Sequence, residues 1–228
     1  MEILLVAATT KEVQPLLEAG EQFPLAGGVL HCHLHRSPVQ CHLLISGVGI
    51  AATAFSLTRA ILTHQPKLVM QVGIAGTYDR TRPLGSGVLV TSDRFASLGA
   101  EDGERFADVY RLGLANPDEY PFRSGWIDMA APRASFFNHF DQVRGITSDL
   151  VTGSEKTREA RMQLFEPVTE SMEGAACFYA CAQLHVPAVQ LRTISNYVEQ
   201  RDTRNWNIPL AVKQLNQHIL DYLSEHHT

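Results

Sequence analysis

Between Glu21 and Asp79 this 228-residue sequence contains no aspartate or glutamate. It also lacks any apolar run of the roughly 20 residues that a helix needs to cross a bilayer. Basic residues are not in excess: 19 Lys and Arg stand against 24 Asp and Glu, a formal charge of -5. That balance argues against nucleic acid or an anionic membrane as a partner, since both are held by clustered cations. Four cysteines, Cys32, Cys41, Cys177 and Cys181, are too few in a chain of this size for a disulfide framework. Residues 1–8 have neither the basic start nor the length of a secretory signal, so the cytoplasm is the expected compartment. Repeats and low-complexity tracts are missing as well.

What is present alternates between strands and helices. Residues 3–8 form a short apolar run suited to a buried strand, and Thr9-Thr10-Lys11-Glu12 opens a helical pattern through Val13, Leu16 and Leu17. Residues 29–35 and 39–45, separated by Ser37-Pro38, predict an antiparallel hairpin. A helix is expected over 49–63 and a strand over 67–72, ending in Gly73-Ile74-Ala75-Gly76. After a turn at 83–87 comes a strand over 88–91. Residues 93–143 read as long loops with short elements, where substrate loops and oligomer contacts often lie. Helices at 155–165 and 174–184, a strand at 188–194 and an amphipathic helix through Leu210, Leu215, Ile219 and Leu223 complete the pattern. One early hairpin among alternating elements implies an α/β fold with a mixed central sheet. No linker divides the chain, so residues 1–228 are expected to form a single domain.

The motifs each have an ordinary structural role to set against a chemical one. Gly47-Val48-Gly49-Ile50-Ala51-Ala52 fits the G-x-G-x-x-A form of a dinucleotide loop. That loop also needs an acid about 20 residues on, at the end of the next strand. Residues 69–76 carry none, so the acid-free gap removes NAD and FAD. The small residues fit a tight turn, or a backbone that a bound sugar approaches closely. His31, Cys32, His33, His35, Cys41 and His42 form a cluster without the cysteine spacing of a zinc site, and no metal is expected. Cys177 and Cys181, four apart on an apolar helix, read as packing residues.

Thr9 with Glu12 three residues later is a capping-box pattern; alternatively, Glu12 is a carboxylate at the carboxyl end of the first strand, where open α/β sheets place ligands. Glu173 stands at the mouth of a helix that is apolar nearly all round, so it is desolvated unless something hydrogen-bonds it. It is either a helix-start carboxylate favoured by the dipole or a partner for a ribose diol, whose two hydroxyls it can accept at once. Ser195-Asn196 ends a core strand and either caps a turn or reads a base edge.

Taken together, Ser46-Gly47-Val48-Gly49, Gly73-Ile74-Ala75-Gly76, Ser171-Met172-Glu173-Gly174-Ala175-Ala176 and Ser195-Asn196 resemble the nucleoside phosphorylase superfamily, in order along nearly the whole chain. Within it they are similar to the methylthioadenosine/S-adenosylhomocysteine nucleosidases and the futalosine hydrolases. The resemblance implies a three-layer α/β/α sandwich, no cofactor, a small purine nucleoside as partner, and a homodimer whose partner subunit closes part of the site. It implies that Glu12 activates the attacking water and that Met172 and Glu173 hold the ribose. Ser46 and Gly47 would lie beneath the sugar, with Gly73 also a substrate-binding position. Ser195 and Asn196 match a Ser-Asp pair whose Asp protonates N7 of the departing purine, and Leu150 falls where a base-stacking Phe is usual.

Two departures sharpen this. Related phosphorylases carry an Arg for phosphate just before the glycine turn, whereas this chain has Met70-Gln71-Val72-Gly73. That points to water as the nucleophile, because bound phosphate requires charge-assisted hydrogen bonds. Asn196 replaces the Asp of the adenine-releasing enzymes; an amide donates to N7 and to the O6 acceptor of a 6-oxopurine but delivers no proton. The implied reaction is release of hypoxanthine from futalosine in a menaquinone route, with a catalytic trio of Glu12, Glu173 and Asn196. Release of adenine, phosphorolysis, and nucleoside binding without catalysis are the alternatives. Arg94, Arg105 and Arg111 are candidates for the substrate's distal carboxylate.

Overall fold

The computed structural model describes residues 3–34, 40–103, 105–130 and 135–225. His35 and the turn at Ser37-Pro38 lie outside them. In chain order the elements begin with β1 (Ile3–Ala7), a 3-10 turn (Thr10–Val13), α1 (Gln14–Glu18), β2 (Gly20–Pro24), β3 (Val29–Leu34), β4 (Gln40–Ile45), α2 (Ile50–His64) and β5 (Leu68–Thr77). They continue with β6 (Gly87–Asp93), β7 (Gly99–Asp102), β8 (Arg105–Asp108), β9 (Ile127–Asp128), β10 (Asp141–Thr147), α3 (Glu155–Phe165), β11 (Thr169–Ser171), α4 (Gly174–Gln183), β12 (Ala188–Tyr197) and α5 (Ile208–Glu225).

Strand β1 shows why the N-terminal run is apolar without interruption. Leu4 and Val6 pack with Leu57 and Phe178 on the α2–α4 face, while Leu5 and Ala7 pack with Val72, Leu215 and Ile219 on the α5 face. Side chains alternate across a strand, so a strand covered on both faces must be apolar at every position. The result is a mixed sheet in the order β11-β10-β6-β12-β5-β1-β4-β3-β2, with helices on both sides. Strand β11 also pairs antiparallel with the end of β5, through Thr169–Thr77 and Glu170–Gly76, so β5, β12, β6, β10 and β11 close on themselves.

Several elements differ from the sequence reading. Residues 20–24 add a third strand to the hairpin, exposed along most of its length. The helical pattern after Thr9 is a 3-10 turn followed by a short helix. Strands β5 and β12 run on to Thr77 and Tyr197, so their glycine-rich and Ser-Asn ends remain in the ladder. The stretch 93–143 contains the β7–β8 ribbon, β9 and a 3-10 turn at Ser135–His139. Cys32 and Cys41 face each other across β3 and β4, and Cys177 and Cys181 sit one turn apart on α4; all four are free and buried. Among the described residues no group of three or more His, Cys, Asp or Glu is arranged to hold a metal, and no helix is long and apolar enough to cross a membrane.

Residues at or just past the carboxyl ends of β1, β4, β5, β12, β10 and β11 converge at one edge of the sheet, where β10 and β11 run antiparallel to β5 and β12. A bulge in β12 between Ile194 and Asn196 leaves Ser195 as the extra residue there. Such a bulge re-aims side chains at the point where the ladder is broken.

Candidate active site

At this edge lies a cavity of about 320 Å³, lined by Glu12, Met172, Glu173, Ser195 and Asn196 among others. Its size falls in the range of small-molecule sites, roughly 300–1,000 Å³. Ends of parallel strands are where ligand crevices form in such sheets.

Glu12 closes a capping box and also lines the cavity. Its Oε2 accepts from Thr9 N at 3.0 Å and from Thr9 Oγ1 at 3.2 Å, closing the turn that it belongs to. Its Oε1 accepts from Ile74 N at 3.1 Å, on the neighbouring strand. The backbone is held from the far end of the chain: Asn216 Nδ2 donates to the Glu12 carbonyl at 2.8 Å, and Asn216 Oδ1 accepts from Leu16 N at 3.1 Å. Asn216 is buried on α5.

Glu173 is the N-cap residue of α4, yet its side chain turns away from that helix. Its Oε1 accepts from Gly49 N at 3.1 Å, which ties it to the turn entering α2. Gly47 and Gly49 have φ of 87° and 91°, a region that a side chain disfavours, so the turn requires glycine. Glu173 Oε2 lies 3.9 Å from Arg192 Nη1. Burial pushes the Glu173 carboxyl above its ordinary range, with the Arg192 charge pulling it back.

Arg192 was not singled out by the sequence, although a cation inside the apolar strand at 188–194 is itself a signal. It is 2% exposed, and its Nε has no hydrogen-bond partner among the described residues. A Cβ at Gly73 would collide with Arg192 Nη1 and stand 2.9 Å from Glu12 Oε1. Gly73 thus makes room for a guanidinium beside both carboxylates. The cation missing from residues 70–73 is therefore supplied by the adjacent strand, which amends the argument against phosphate. The stronger objection is that two carboxylates flank this one guanidinium and would repel a phosphate dianion.

Behind Arg192 lies a buried polar chain. Arg192 Nη2 reaches Gln190 Oε1 at 3.5 Å, and Gln190 Nε2 donates to Asp93 Oδ2 at 3.0 Å. Asp93 also accepts from Thr147 Oγ1 at 2.9 Å and from its neighbour Arg94 N at 2.7 Å. Burial raises its carboxyl to about 6 despite these bonds. Gly174 is needed beside it, since a Cβ there would overlap Asp93 Oδ2 and Gln190 Oε1.

Ser195 Oγ donates to Asn196 Oδ1 at 2.8 Å, and Asn196 Nδ2 donates to Tyr197 O at 3.1 Å. The amide is thereby oriented, with its second Nδ2 hydrogen left for a ligand. Ser46 is buried beside Ala7 and Thr53, its hydroxyl 3.0 Å from Gly47 O, and supports the turn from below. Met172 lines the cavity beside Glu173. Leu150 is 73% exposed and lines a neighbouring cavity, while Val151 and Thr152 face the site. None of the three candidate arginines lines the Glu12 cavity. Arg94 pairs with Asp108, Arg105 lines the neighbouring cavity, and Arg111 donates its backbone N–H to Asp108; the exposed Lys11 lines the site instead.

The chain belongs to the phosphorylase superfamily, whose family model matches residues 2–224. Among its relatives, it is 32% identical to the futalosine hydrolase of Streptomyces coelicolor, over 94% of this chain and 92% of that protein. It is 27% identical to the 5'-methylthioadenosine/S-adenosylhomocysteine nucleosidase of Psychromonas ingrahamii, over 93% and 94% of the two chains. The solved structure of Helicobacter pylori futalosine hydrolase superposes with a TM-score of 0.79 at 17% identity, covering 99% of this chain and 98% of that one, and so shares the fold.

Proposed function

We propose that this chain is a purine nucleosidase that hydrolyses the N-glycosidic bond of futalosine and releases hypoxanthine. The observation that carries the reading is that Glu12, Glu173 and Asn196 line one cavity, with the Arg192 guanidinium beside both carboxylates. A nucleoside laid across it places its sugar over the carboxylates and its purine against the amide. Glu173 accepts from the 2′ and 3′ hydroxyls with the lone pairs that Gly49 leaves free. Glu12 orients a water beneath the anomeric carbon and takes its proton as the new C–O bond forms. The electron pair of the breaking C–N bond goes to the purine, through an oxocarbenium-like transition state. Asn196 donates to the base as charge builds on it, and the released base takes a proton from solvent.

The choice of futalosine is supported by the futalosine hydrolase of Streptomyces coelicolor at 32% identity and by an amide that suits a 6-oxopurine. Release of adenine is the second reading, supported by the nucleosidase of Psychromonas ingrahamii at 27%. The retention of both carboxylates in one cavity speaks against binding without catalysis. The proposal extends to a homodimer acting in a menaquinone route, as the family resemblance implies, with the cytoplasm as its compartment. Chromatography of the base released from futalosine, methylthioadenosine and inosine, each with and without phosphate, tests the reading. Phosphate-independent hypoxanthine release from futalosine is expected; faster adenine release from methylthioadenosine overturns the substrate assignment, and a phosphate requirement overturns hydrolysis.

A further inference from the structure

A second buried Arg–Glu pair lies against the same cavity, and the chemistry at Glu12 and Glu173 makes no use of it. Arg161, on α3, donates through Nη1 to Glu170 Oε2 at 2.7 Å and to Thr152 Oγ1 at 2.6 Å. Its Nη2 donates to Ser148 Oγ at 2.7 Å and to Leu150 O at 3.3 Å. Glu170 accepts from Thr152 N at 2.7 Å, Thr152 Oγ1 at 2.6 Å and Tyr78 OH at 2.6 Å. The two charged side chains are 8% and 5% exposed. Burial and the Glu170 charge hold the Tyr78 phenol well above its ordinary value, so it stays a hydrogen-bond donor.

The placement of this network matters more than its strength. Thr152 and Glu170 line the Glu12 cavity, whereas Arg161 stands behind them, on a neighbouring cavity of about 510 Å³. Glu170 and Asn196 are both ladder partners of Gly76, one from each side, so the network sits at the Asn196 end. At the other end of the same segment, Asp149 Oδ1 accepts from Ile50 N at 2.8 Å, next to the Gly49 N–H that holds Glu173. Of segment 148–152, Val151 and Thr152 form part of the cavity wall, and Arg161 fastens the segment at Ser148, Leu150 and Thr152. A guanidinium has enough donors in a fixed plane to do this; an ammonium does not.

We propose that Arg161 is a positioning residue for base recognition, fixing segment 148–152 through Glu170 and Thr152 as the wall against which the purine lies, opposite Asn196. The proposal rests on the nucleosidase reading. The polar groups of the wall are spent on one another, so it selects the base by shape and leaves edge recognition to the Asn196 amide. Loss of the clamp should weaken base binding while leaving the sugar chemistry in place.

The test is calorimetric titration of hypoxanthine and adenine into wild-type protein, Arg161→Lys and Tyr78→Phe, with melting curves and steady-state kinetics on the preferred nucleoside. Arg161→Lys is expected to weaken base binding and raise KM by about tenfold, with kcat changed by less than about threefold. Tyr78→Phe, which removes one bond to Glu170, is expected to weaken binding by about threefold. A folded Arg161→Lys protein with wild-type base affinity and KM overturns the proposal. Should that variant not fold, a folded Tyr78→Phe protein with unchanged base affinity overturns it. Wild-type protein that binds neither base and cleaves no purine nucleoside overturns the nucleosidase reading, and the proposal with it.

Discussion

Glu170 and Glu173 come from the same short stretch of chain, and each is buried beside an arginine. The Arg161–Glu170 pair is 2.7 Å apart, and both Glu170 oxygens are hydrogen-bonded, Oε2 to three donors and Oε1 to one. The Arg192–Glu173 pair is 3.9 Å apart, Arg192 Nε has no hydrogen-bond partner among the described residues, and the Glu173 carboxyl is pushed up by burial. Removing charges from water costs several kcal/mol per ion and is offset only when geometry and further hydrogen bonds are good. The first pair meets that condition with protein alone. The second leaves capacity unused in a cavity, which is what a site completed by its ligand requires. Identical residue types thus serve as a fixture in one place and as a receptor in the other, and the partner count separates the two.

That comparison fails if the loose pair proves structural or the tight pair chemical. The largest effect is expected for Glu12→Gln, which should lower turnover by about 10²–10⁴, the range of a general base, and move the melting temperature little. Near-normal activity would remove Glu12 from its role. Next, Arg161→Met leaves Glu170 charged and unpaired, and should cost about 3–5 kcal/mol of stability in denaturant unfolding. Arg192→Met should show itself differently. Without the cation the Glu173 carboxyl rises further, so the acid limb of the rate profile moves to higher pH. An unmoved limb would mean that Glu173 does not titrate in the reaction.

Asp93 gives a smaller, pH-dependent effect. Its folded value of about 6 lies above the ordinary 3.8, so the folded state binds its proton more tightly than the unfolded chain. The stability contributed is full below pH 3.8 and is lost as pH rises through 6, by an amount on the order of 3 kcal/mol. Melting curves of Asp93→Asn across that window should lack this slope, and an unchanged slope assigns it to another group. The smallest effect belongs to Leu150→Ala. With a side chain 73% exposed and directed to the neighbouring cavity, it should change stability by less than about 0.5 kcal/mol and leave KM within twofold. A tenfold rise in KM would place the base on the Leu150 side of the wall.

The sequence was legible where local rules act alone. Helix α3 begins and ends as read, because Ser154 Oγ accepts from Thr157 N at the start and Glu166 takes a left-handed conformation at the end. Glu12 was marked by its place just after the first strand and by the family resemblance, and Glu173 by its place at the mouth of an apolar helix beside Gly174 and Ala175. Strand β2 was not, since an exposed edge strand has no buried face to impose alternation. Arg192 was hidden by its surroundings: within an apolar strand its charge has meaning only once Gly73 and Glu173 are placed in space. The closure of β11 onto β5 and the segment fastened by Arg161 are likewise products of long-range pairing that no window of sequence contains.

The bond from Asn216 to the Glu12 carbonyl spans 204 positions and joins the first carboxylate of the site to the last helix. During synthesis Glu12 leaves the ribosome early, and Asn216 emerges only after nearly all the rest of the fold has been made. For most of its time as a nascent chain, the molecule therefore carries its proposed base without the clamp that sets its backbone. On the proposed role of Glu12, hydrolysis is then expected only once α5 has docked, and a polypeptide stopped short of that helix is expected to release no base.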